Sequence, residues 1–261
     1  MSEGWLGELW RYRELLYFLA WRDVKVRYKQ AVFGAAWAVA QPLFTMAIFT
    51  LFFGRLAGVP SGSMPYPLFS FCGLVAWMYF SSTLTQAGNS LVSNSSLLTK
   101  VYFPRALLPA ATALGGILDL LVCLACLGAM MIYYKVHPSW ALLLVPWVLL
   151  LMIVLVVGIS MLLAALNVRF RDVKYVVPFM VQLWLFVTPI IYPISFLPQK
   201  YQQLVALNPM TGIVEALRAC IVWDGSFDWS LLATSCVITL LVFIAGVAYF
   251  RKAEREFADV V

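Results

Sequence analysis

Residues 141–167 read ALLLVPWVLLLMIVLVVGISMLLAALN, a stretch without a charged side chain. It lies inside a gap of 33 uncharged residues between Lys135 and Arg169. A helix rises about 1.5 Å per residue and the hydrocarbon core of a membrane is about 30 Å thick, so about 20 apolar residues complete one crossing. The stretch therefore predicts a helix that crosses a membrane.

Comparable gaps occur elsewhere, with 25 uncharged residues between Lys29 and Arg55 and 44 between Arg55 and Lys100. Of all residues 63% are apolar and only 11% charged, against about 25% charged in soluble proteins. This composition predicts an all-α integral membrane protein. Its six spans are expected near 32–54, 68–91, 106–133, 141–167, 176–193 and 231–250, preceded by residues 1–31 and followed by a tail at 251–261.

The 18 basic residues alternate between the two sides of the predicted membrane. Fourteen lie on the side that holds residues 1–31, the second and fourth connections and the tail, and four lie on the opposite side. Lys and Arg are retained in the cytoplasm during insertion, so both termini are predicted to be cytoplasmic. This alternation explains the net charge of +6 without a nucleic-acid partner.

Residues 1–31 predict a cytoplasmic amphipathic helix that lies at the membrane interface. At about 100° per residue, one sector of the helix holds three cations and a neighbouring sector three apolar residues. These are Arg22, Lys25 and Lys29 in the first sector, and Leu15, Leu19 and Val26 in the second. The cations either anchor the helix to anionic lipid or form a docking surface for a cytoplasmic partner. Asp23 and Tyr28 add recognition groups that favour docking.

The inner half of the second span carries a polar stripe, because Ser82, Gln86, Asn89 and Ser93 fall within a sector of about 60°. Polar groups that face lipid lack hydrogen-bond partners, so the stripe is expected to face protein or water. It either joins helices or forms one wall of a hydrated path for a hydroxyl-rich cargo.

Asp119 is the only acid well inside a predicted span, and its insertion costs roughly 2.5–3.5 kcal/mol. It is therefore expected to have a partner. Two roles remain open, a structural hydrogen bond or a role in cargo passage or subunit contact.

Two inner connections, at 97–109 and 167–178, combine clustered charges with aromatic residues. Each is either a topological anchor or a lever that transmits a push into the membrane. Their charged residues are Lys100 and Arg105 in the first, and Arg169, Arg171, Asp172 and Lys174 in the second.

The longest outer segment contains two pieces, 199–207 and 210–222, that are each too short to span. They predict re-entrant half-helices before the last span. Glu215 and Arg218 stand three residues apart on one helical face and are expected to neutralise each other. These half-helices form either an outer gate or an interfacial cap.

Signatures of catalysis are absent from the sequence, which lacks a GxxxxGK[ST] phosphate loop, an HExxH motif and a metal-spaced Cys/His set. The odd number of cysteines, five, argues against a disulfide framework. The chain is therefore predicted to be non-catalytic, without a metal site or a cofactor of its own.

Several short motifs follow one another over about residues 15–261. They are Arg22, Asp23, Lys25, Arg27, Tyr28 and Lys29, then Gly34, Trp37 and Pro42, KVYFPR at 100–105, Asn167 with Arg171 and Asp172, Thr188 with Pro189, Asn208 with Pro209, Glu215 with Arg218, and the ending FADVV. In this order they resemble the permease subunit of ABC-2 type exporters, in the branch that moves lipid-linked polysaccharides.

The resemblance implies a homodimer joined by two copies of a separate nucleotide-binding subunit that binds ATP and Mg and hydrolyses the ATP. The cargo implied is an O-antigen, capsule or teichoic-acid type glycan on a lipid anchor, exported across the bacterial cytoplasmic membrane. The ATPase subunit is expected to contact Arg22, Asp23, Lys25, Lys100, Arg105, Arg171 and Asp172. The substrate path is expected along Trp37, Trp77, Tyr79, Phe80, Gln86, Asn89 and Trp184. A lipid headgroup is expected to bind at Arg22, Arg27 and Lys29. An outer gate is expected at Asn208, Glu215 and Arg218.

Two other functions remain open. An ABC-2 exporter of drugs or small lipids would need a narrower and more uniformly apolar route than the stripe from Ser82 to Ser93 suggests. A polyprenyl-phosphate-processing membrane enzyme would need acids, His or Lys collected at one depth, and Asp119 alone does not meet that requirement.

Overall fold

The computed structural model describes residues 7, 11–29, 35–100, 103–136, 139–170, 172–222 and 227–256. Of the residues in these ranges, 84% are helical, and none is in a β-strand. The predicted all-α fold class is confirmed. The α-helices of the described ranges are α1 (Arg13–Lys29), α2 (Ala35–Phe49), α3 (Tyr66–Gly88), α4 (Ser90–Ser93), α5 (Ser95–Lys100), α6 (Leu107–Gly115), α7 (Ile117–Tyr133), α8 (Val145–Arg169), α9 (Val173–Val187), α10 (Gln199–Ala206), α11 (Pro209–Ile221) and α12 (Trp229–Glu256).

Three shorter helical elements also occur in the described ranges. A π-helix, Thr50–Leu56, continues α2, and 3₁₀-helices occupy Trp140–Leu144 and Ile194–Phe196. The first 3₁₀-helix leads directly into α8, so that residues 140–169 form one continuous helical segment.

Within the described residues, five helical segments are long and apolar enough to cross a membrane. They are Ala36–Leu56, Tyr66–Gly88, Leu107–Tyr133, Trp140–Arg169 and Trp229–Glu254. Each overlaps one of the predicted spans. A long run without charge lies in lipid, where the backbone must satisfy its hydrogen bonds internally, and a helix does so. The count rises to six if the bent pair α10 and α11 is one span.

The fifth predicted span, 176–193, differs from the structure. Helix α9 begins at Val173 and ends at Val187, so it is 15 residues long and measures about 22 Å. It stops because Thr188 precedes Pro189, and a residue before proline disfavours the helical conformation. Thr188 is accordingly extended, with φ −89° and ψ 134°. The predicted C-terminal end of this span is wrong.

Helices α10 and α11 meet at an angle of 101°. This bend lies at the predicted break between 199–207 and 210–222. The break is built by Asn208 and Pro209. The Asn208 side chain accepts a hydrogen bond from the backbone amide of Met210 at 3.1 Å, and Pro209 occupies the first turn, where its missing amide costs nothing. Both helices are too short to span the membrane alone, so their re-entrant placement remains a prediction.

Helix α3 forms the centre of the bundle and contacts α2, α7, α8, α9 and α11. Its side chains are therefore mostly buried, with Leu68, Phe71 and Phe80 at 0% exposure. Helix α2 lies at the edge, where Phe44 is 65% exposed. Apolar exposure of this kind indicates a surface that lipid or another copy of the chain covers in the membrane.

Helices α8 and α12 cross at two glycines, Gly158 and Gly246. A Cβ atom added to Gly246 would lie 2.1 Å from the carbonyl oxygen of Gly158, and one added to Gly158 would lie 2.6 Å from Cα of Phe243. Small residues allow two membrane helices to approach this closely, which provides dispersion contacts where lipid leaves little hydrophobic driving force. This crossing fixes the last span against the fourth.

Helix α1 joins one end of the bundle through a cluster of apolar side chains. Leu19 packs there with Phe103, Leu107, Met161 and Phe250, all 5% exposed or less. The predicted apolar sector of α1 is not a single surface, because Leu19 is buried but Val26 is 67% exposed. The structure thus corrects the predicted face.

The inward face of α1 is set by its neighbours α6 and α7. Gly115 lies against Ala20, Asp23 and Val24, and four residues further along both segments Asp119 contacts Arg27. Helix α1 and the α6–α7 segment therefore run side by side in the same direction. Ala20 and Gly115 are small, so the two helical segments can approach each other closely. In this arrangement Arg27 faces the bundle.

Candidate functional site

A cavity of about 590 Å³ opens between α1, α2, α3 and α7. Its lining combines hydrogen-bonding side chains with aromatic rings. The polar part comes from Arg27, Gln41, Ser81, Ser82, Thr85, Gln86 and Asp119, and the aromatic part from Tyr28, Trp37 and Tyr79. Such a lining suits a ligand with both hydroxyl groups and apolar faces, because aromatic rings contact the apolar face while polar groups fix the orientation.

Four residues that line this cavity are joined by hydrogen bonds, and we call them the Asp119 cluster: Arg27, Tyr28, Gln86 and Asp119. The Arg27 guanidinium forms an ion pair with Oδ2 of Asp119, and the Tyr28 hydroxyl donates a hydrogen bond to Oδ1. The other terminal nitrogen of Arg27 donates to Oε1 of Gln86 at 2.6 Å. The expectation that Asp119 has a partner is confirmed.

The Asp119 cluster is electrically neutral as a whole, because one guanidinium offsets one carboxylate. Their side chains are 25% and 22% exposed, so neither charge is fully hydrated and each depends on the other. Burial, with the neighbouring Asp119 carboxylate, raises the pKa of Tyr28 above its ordinary value. The hydroxyl therefore remains protonated and continues to donate to Asp119.

The cluster connects three elements that are remote in sequence. Arg27 and Tyr28 belong to α1, Gln86 to α3 and Asp119 to α7. Arg27 and Asp119 are 92 residues apart. The sequence identifies Asp119 as an acid that requires a partner, but it carries no local signal that selects Arg27 or Tyr28.

The structure brings some of the predicted path residues together and separates others. Trp37, Tyr79 and Gln86 line the cavity. The aromatic residues Trp77, Phe80 and Trp184 instead pack together in the bundle, with ring centroids 5.3 Å apart for Trp77 and Phe80 and 5.1 Å apart for Phe80 and Trp184. None of these three lines the cavity.

The polar stripe of the second span divides between the two roles left open for it. Ser82 and Gln86 line the cavity. Asn89 lies beyond the end of α3 and accepts a hydrogen bond at 3.3 Å from Asn167, whose side chain also donates to the carbonyl of Gly88 at 2.9 Å. The first part of the stripe, Ser82 and Gln86, therefore lines the cavity, and Asn89 joins the second span to the fourth.

The predicted ATPase contacts lie on α1 and on the two inner connections. Arg22 pairs with its neighbour Asp23 at 2.9 Å, and Lys25 is exposed. Lys100 and Asp172 are exposed, while the amide of Arg105 donates to the Glu254 carboxylate at 3.1 Å. Arg171 lies outside the described residues.

The three residues predicted to bind a headgroup do not form one site. Arg27 belongs to the Asp119 cluster and faces the cavity. Arg22 and Lys29 line a different groove, of about 420 Å³, on the outward side of α1. The helix geometry explains the division, because Arg27 lies on the side of α1 that packs against the bundle.

The predicted outer-gate residues join the half-helices to the end of α9. Arg218 is 5% exposed and donates to the carbonyls of Pro189 and Ile190 at 2.7 Å and 2.8 Å. It also pairs with Glu215 at 3.2 Å, as expected from their spacing. Asn208 donates to the Thr188 hydroxyl at 2.9 Å. The two hydrogen bonds from Arg218 satisfy carbonyls that the break after Val187 leaves free.

No group of three or more His, Cys, Asp or Glu side chains in the described ranges is arranged to hold a metal ion.

Comparison with known proteins matches residues 14–222 to the family model described as ABC-2 type transporter. The O-antigen export system permease protein RfbA of Myxococcus xanthus is 29% identical over 256 residues, 97% of each chain. A protein of the same name from Klebsiella pneumoniae is 28% identical over 252 residues, 95% of each chain. The polysialic acid transport protein KpsM of Escherichia coli is 22% identical over 242 residues, 90% of this chain and 91% of its own.

Proposed function

The chain belongs to the ABC-2 type transporter family, and we propose that it is the membrane-spanning permease subunit of an ATP-driven polysaccharide exporter. The observation that carries this proposal is the similarity, over 90% or more of the chain, to relatives named for O-antigen export and for polysialic acid transport. The chain is a multi-pass membrane protein with a transport role, and ATP hydrolysis is assigned to a separate partner subunit.

The cargo proposed is a glycan attached to a lipid, of the O-antigen, capsule or teichoic-acid type. The cavity beside the Asp119 cluster supports this choice, because Trp37 and Tyr79 offer ring faces while Gln41, Ser82 and Gln86 offer hydrogen-bonding groups. Sugars present both an apolar ring face and hydroxyl groups. Arg27 lines the same cavity and is the proposed contact for a phosphate near the lipid anchor.

Two copies of the chain are proposed to form the conduit together. A bundle of this size is narrow, and a large cargo passes more readily between two subunits related by two-fold symmetry. Exposed apolar side chains on α2 and α9 provide surfaces for a second copy, for example Phe44 at 65% and Phe179 at 56% exposure. Asn208, Glu215 and Arg218 are proposed to hold the outer gate of each copy.

Two ATPase subunits, which bind ATP and Mg, are proposed to dock on the inner connections. Lys100 and Asp172 support this placement because both are exposed near the inner ends of spans. Arg105 is held against the last helix through Glu254, so a push on this connection reaches both the third and the last span. The complex is placed in the bacterial cytoplasmic membrane with both termini inside, as the distribution of Lys and Arg favours.

Deleting the gene from its source organism and restoring it on a plasmid tests this function. The proposal predicts that most of the surface glycan is lost, that lipid-linked glycan accumulates on the cytoplasmic side of the membrane, and that the plasmid restores export. The glycan is measured separately at the cell surface and in lysed cells.

Two outcomes would contradict the proposal and select an alternative function. Normal surface glycan with changed sensitivity to drugs would indicate an ABC-2 exporter of drugs or small lipids. Loss of glycan from both fractions, with altered polyprenyl-phosphate precursors, would indicate a membrane enzyme of glycan synthesis.

A further inference from the structure

We propose that the outward face of α1 is a binding site for the headgroup of an anionic phospholipid of the surrounding membrane. The site, which we call the α1 outer face, consists of Phe18, Trp21, Arg22, Lys25, Val26 and Lys29. These residues line a groove of about 420 Å³. The proposal concerns a surface that the proposed transport path does not use.

Large apolar side chains on this side of α1 are exposed. Phe18 is 67% exposed, Val26 67% and Trp21 41%, and the adjacent Tyr17 is 62% exposed. The rings of Tyr17 and Trp21 are nearly parallel, 6° apart, with centroids separated by 6.5 Å. A contiguous apolar surface of this kind on a helix that also carries charges indicates contact with a membrane or a protein.

Cations accompany the aromatic residues along the same face. The Lys25 ammonium lies 5.8 Å from the centroid of the Trp21 ring, and Lys29 follows one turn later. None of the described acidic side chains forms an ion pair with Lys25 or Lys29. Their ammonium groups are therefore available to a phosphate, which accepts strong charge-assisted hydrogen bonds.

The orientation of this face is fixed by the opposite side of the helix. Leu19 and Val24 are buried against the bundle, Ala20 lies against Gly115, and Arg27 is held by Asp119. Helix α1 cannot turn its aromatic residues inward without breaking these contacts. The face therefore points away from the bundle.

Membrane lipid fits this face better than cargo or a protein partner does. The residues of α1 that line the cavity are Arg27 and Tyr28, and neither lines the outer groove, so cargo in the cavity would not reach Lys25 or Lys29. Trp and Tyr beside Lys form the combination found at the boundary between headgroups and acyl chains. We therefore assign Lys25 to lipid rather than to the ATPase subunit suggested by the family resemblance.

Retention of phosphatidylglycerol by the purified chain tests the proposal. The chain is exchanged into detergent containing equal amounts of phosphatidylglycerol and phosphatidylcholine, and the lipids that remain bound are counted by native mass spectrometry. In the double variant Lys25→Gln/Lys29→Gln, retention of phosphatidylglycerol is expected to fall by about thirtyfold, because each of the two lysines contributes to binding at an anionic surface. Retention of phosphatidylcholine is expected to remain low and unchanged.

Two further variants separate lipid binding from loss of the fold. Lys25→Arg/Lys29→Arg keeps both charges and is expected to retain the lipid. Lys135→Gln/Lys200→Gln removes the same charge from exposed lysines in the outer connections and is expected to behave as the native chain does. A uniform decrease in all three double variants would overturn the proposal.

The remaining outcomes also decide the matter. Equal retention by the native chain and Lys25→Gln/Lys29→Gln, or equal retention of the two lipids by the native chain, would overturn the proposal. If this variant kept phosphatidylglycerol but no longer bound the purified ATPase subunit, the α1 outer face would be a protein docking surface. If soluble glycerol phosphate displaced the lipid at the same concentration as phosphatidylglycerol, the site would be a general phosphate site.

Discussion

Replacing Gly246 with leucine is expected to remove most of the folded protein from the membrane. A Cβ atom at this position would lie 2.1 Å from the carbonyl oxygen and 2.9 Å from the carbonyl carbon of Gly158. Both atoms belong to the backbone of α8, so no side-chain rotation relieves the overlap, and α8 must move away from α12. Overpacking of a dense interior typically costs about 1–3 kcal/mol or more, and here it opens the crossing of the fourth and last spans.

The Gly246→Leu variant is measured by the yield of monodisperse protein after detergent extraction and by its thermal stability. Gly128→Leu is the matched control, because a Cβ atom at Gly128 meets nothing within 4 Å and the residue also lies within a candidate span. The control is expected to be extracted at native yield. Equal yield and stability of the two variants would show that α8 and α12 do not cross at these glycines.

Replacing Asp119 with asparagine is expected to lower both stability and export. The variant leaves the Arg27 guanidinium without its counter-ion in a site where its side chain is only 25% exposed. Leaving such a group unsatisfied costs about 1–3 kcal/mol, a range that allows for its partial hydration. Thermal stability of the purified chain and the amount of surface glycan in cells are the two measurements.

A double variant, Arg27→Gln/Asp119→Asn, then separates the two roles that remain open for Asp119. Neither charge is left alone, so thermal stability is expected to return to within about 1 kcal/mol of the native value. Recovery of export as well would assign a structural role to the pair, whereas continued loss of export would assign it a part in cargo passage. Native stability of Asp119→Asn alone would contradict the ion pair itself.

The spans could be predicted from the sequence because a long charge-free run is a local property. The run around 141–167 requires no knowledge of the rest of the chain, and Trp140–Arg169 forms a continuous helical segment over it. The early end of α9 also had a local signal, since Thr188 precedes Pro189. Hydropathy alone extended this span too far, because the residues after Val187 remain apolar.

Side-chain neighbours could be predicted only where they are close in sequence. Glu215 and Arg218 pair as their spacing suggests, but the partner of Asp119 lies 92 residues away. The surroundings of Phe80 could not be predicted from its neighbours in the sequence. An aromatic residue in an apolar span lines a path or fills a core depending on how the helices around α3 pack, and a local sequence pattern does not contain that information. Phe80 is fully buried against Trp77 and Trp184.

The same limit explains the orientation of α1. Helical periodicity places Leu19 and Val26 on neighbouring positions, yet only Leu19 is buried. The selection comes from Gly115 of α6, which gives α1 a close approach at Ala20 and Val24. The cationic positions Arg22, Lys25 and Lys29 were correctly grouped from the sequence, because they follow from the period of the helix alone.

The most direct test of the central claim is glycan transport by purified components. The chain and its candidate ATPase subunit are reconstituted together in liposomes that carry lipid-linked glycan on the ATPase side, and the glycan that reaches the other side is measured with and without ATP. The predicted result is transport that requires ATP, Mg and both polypeptides, with no ATP hydrolysis by the permease chain alone. Hydrolysis of ATP by the isolated chain, or glycan movement independent of the ATPase subunit, would contradict it.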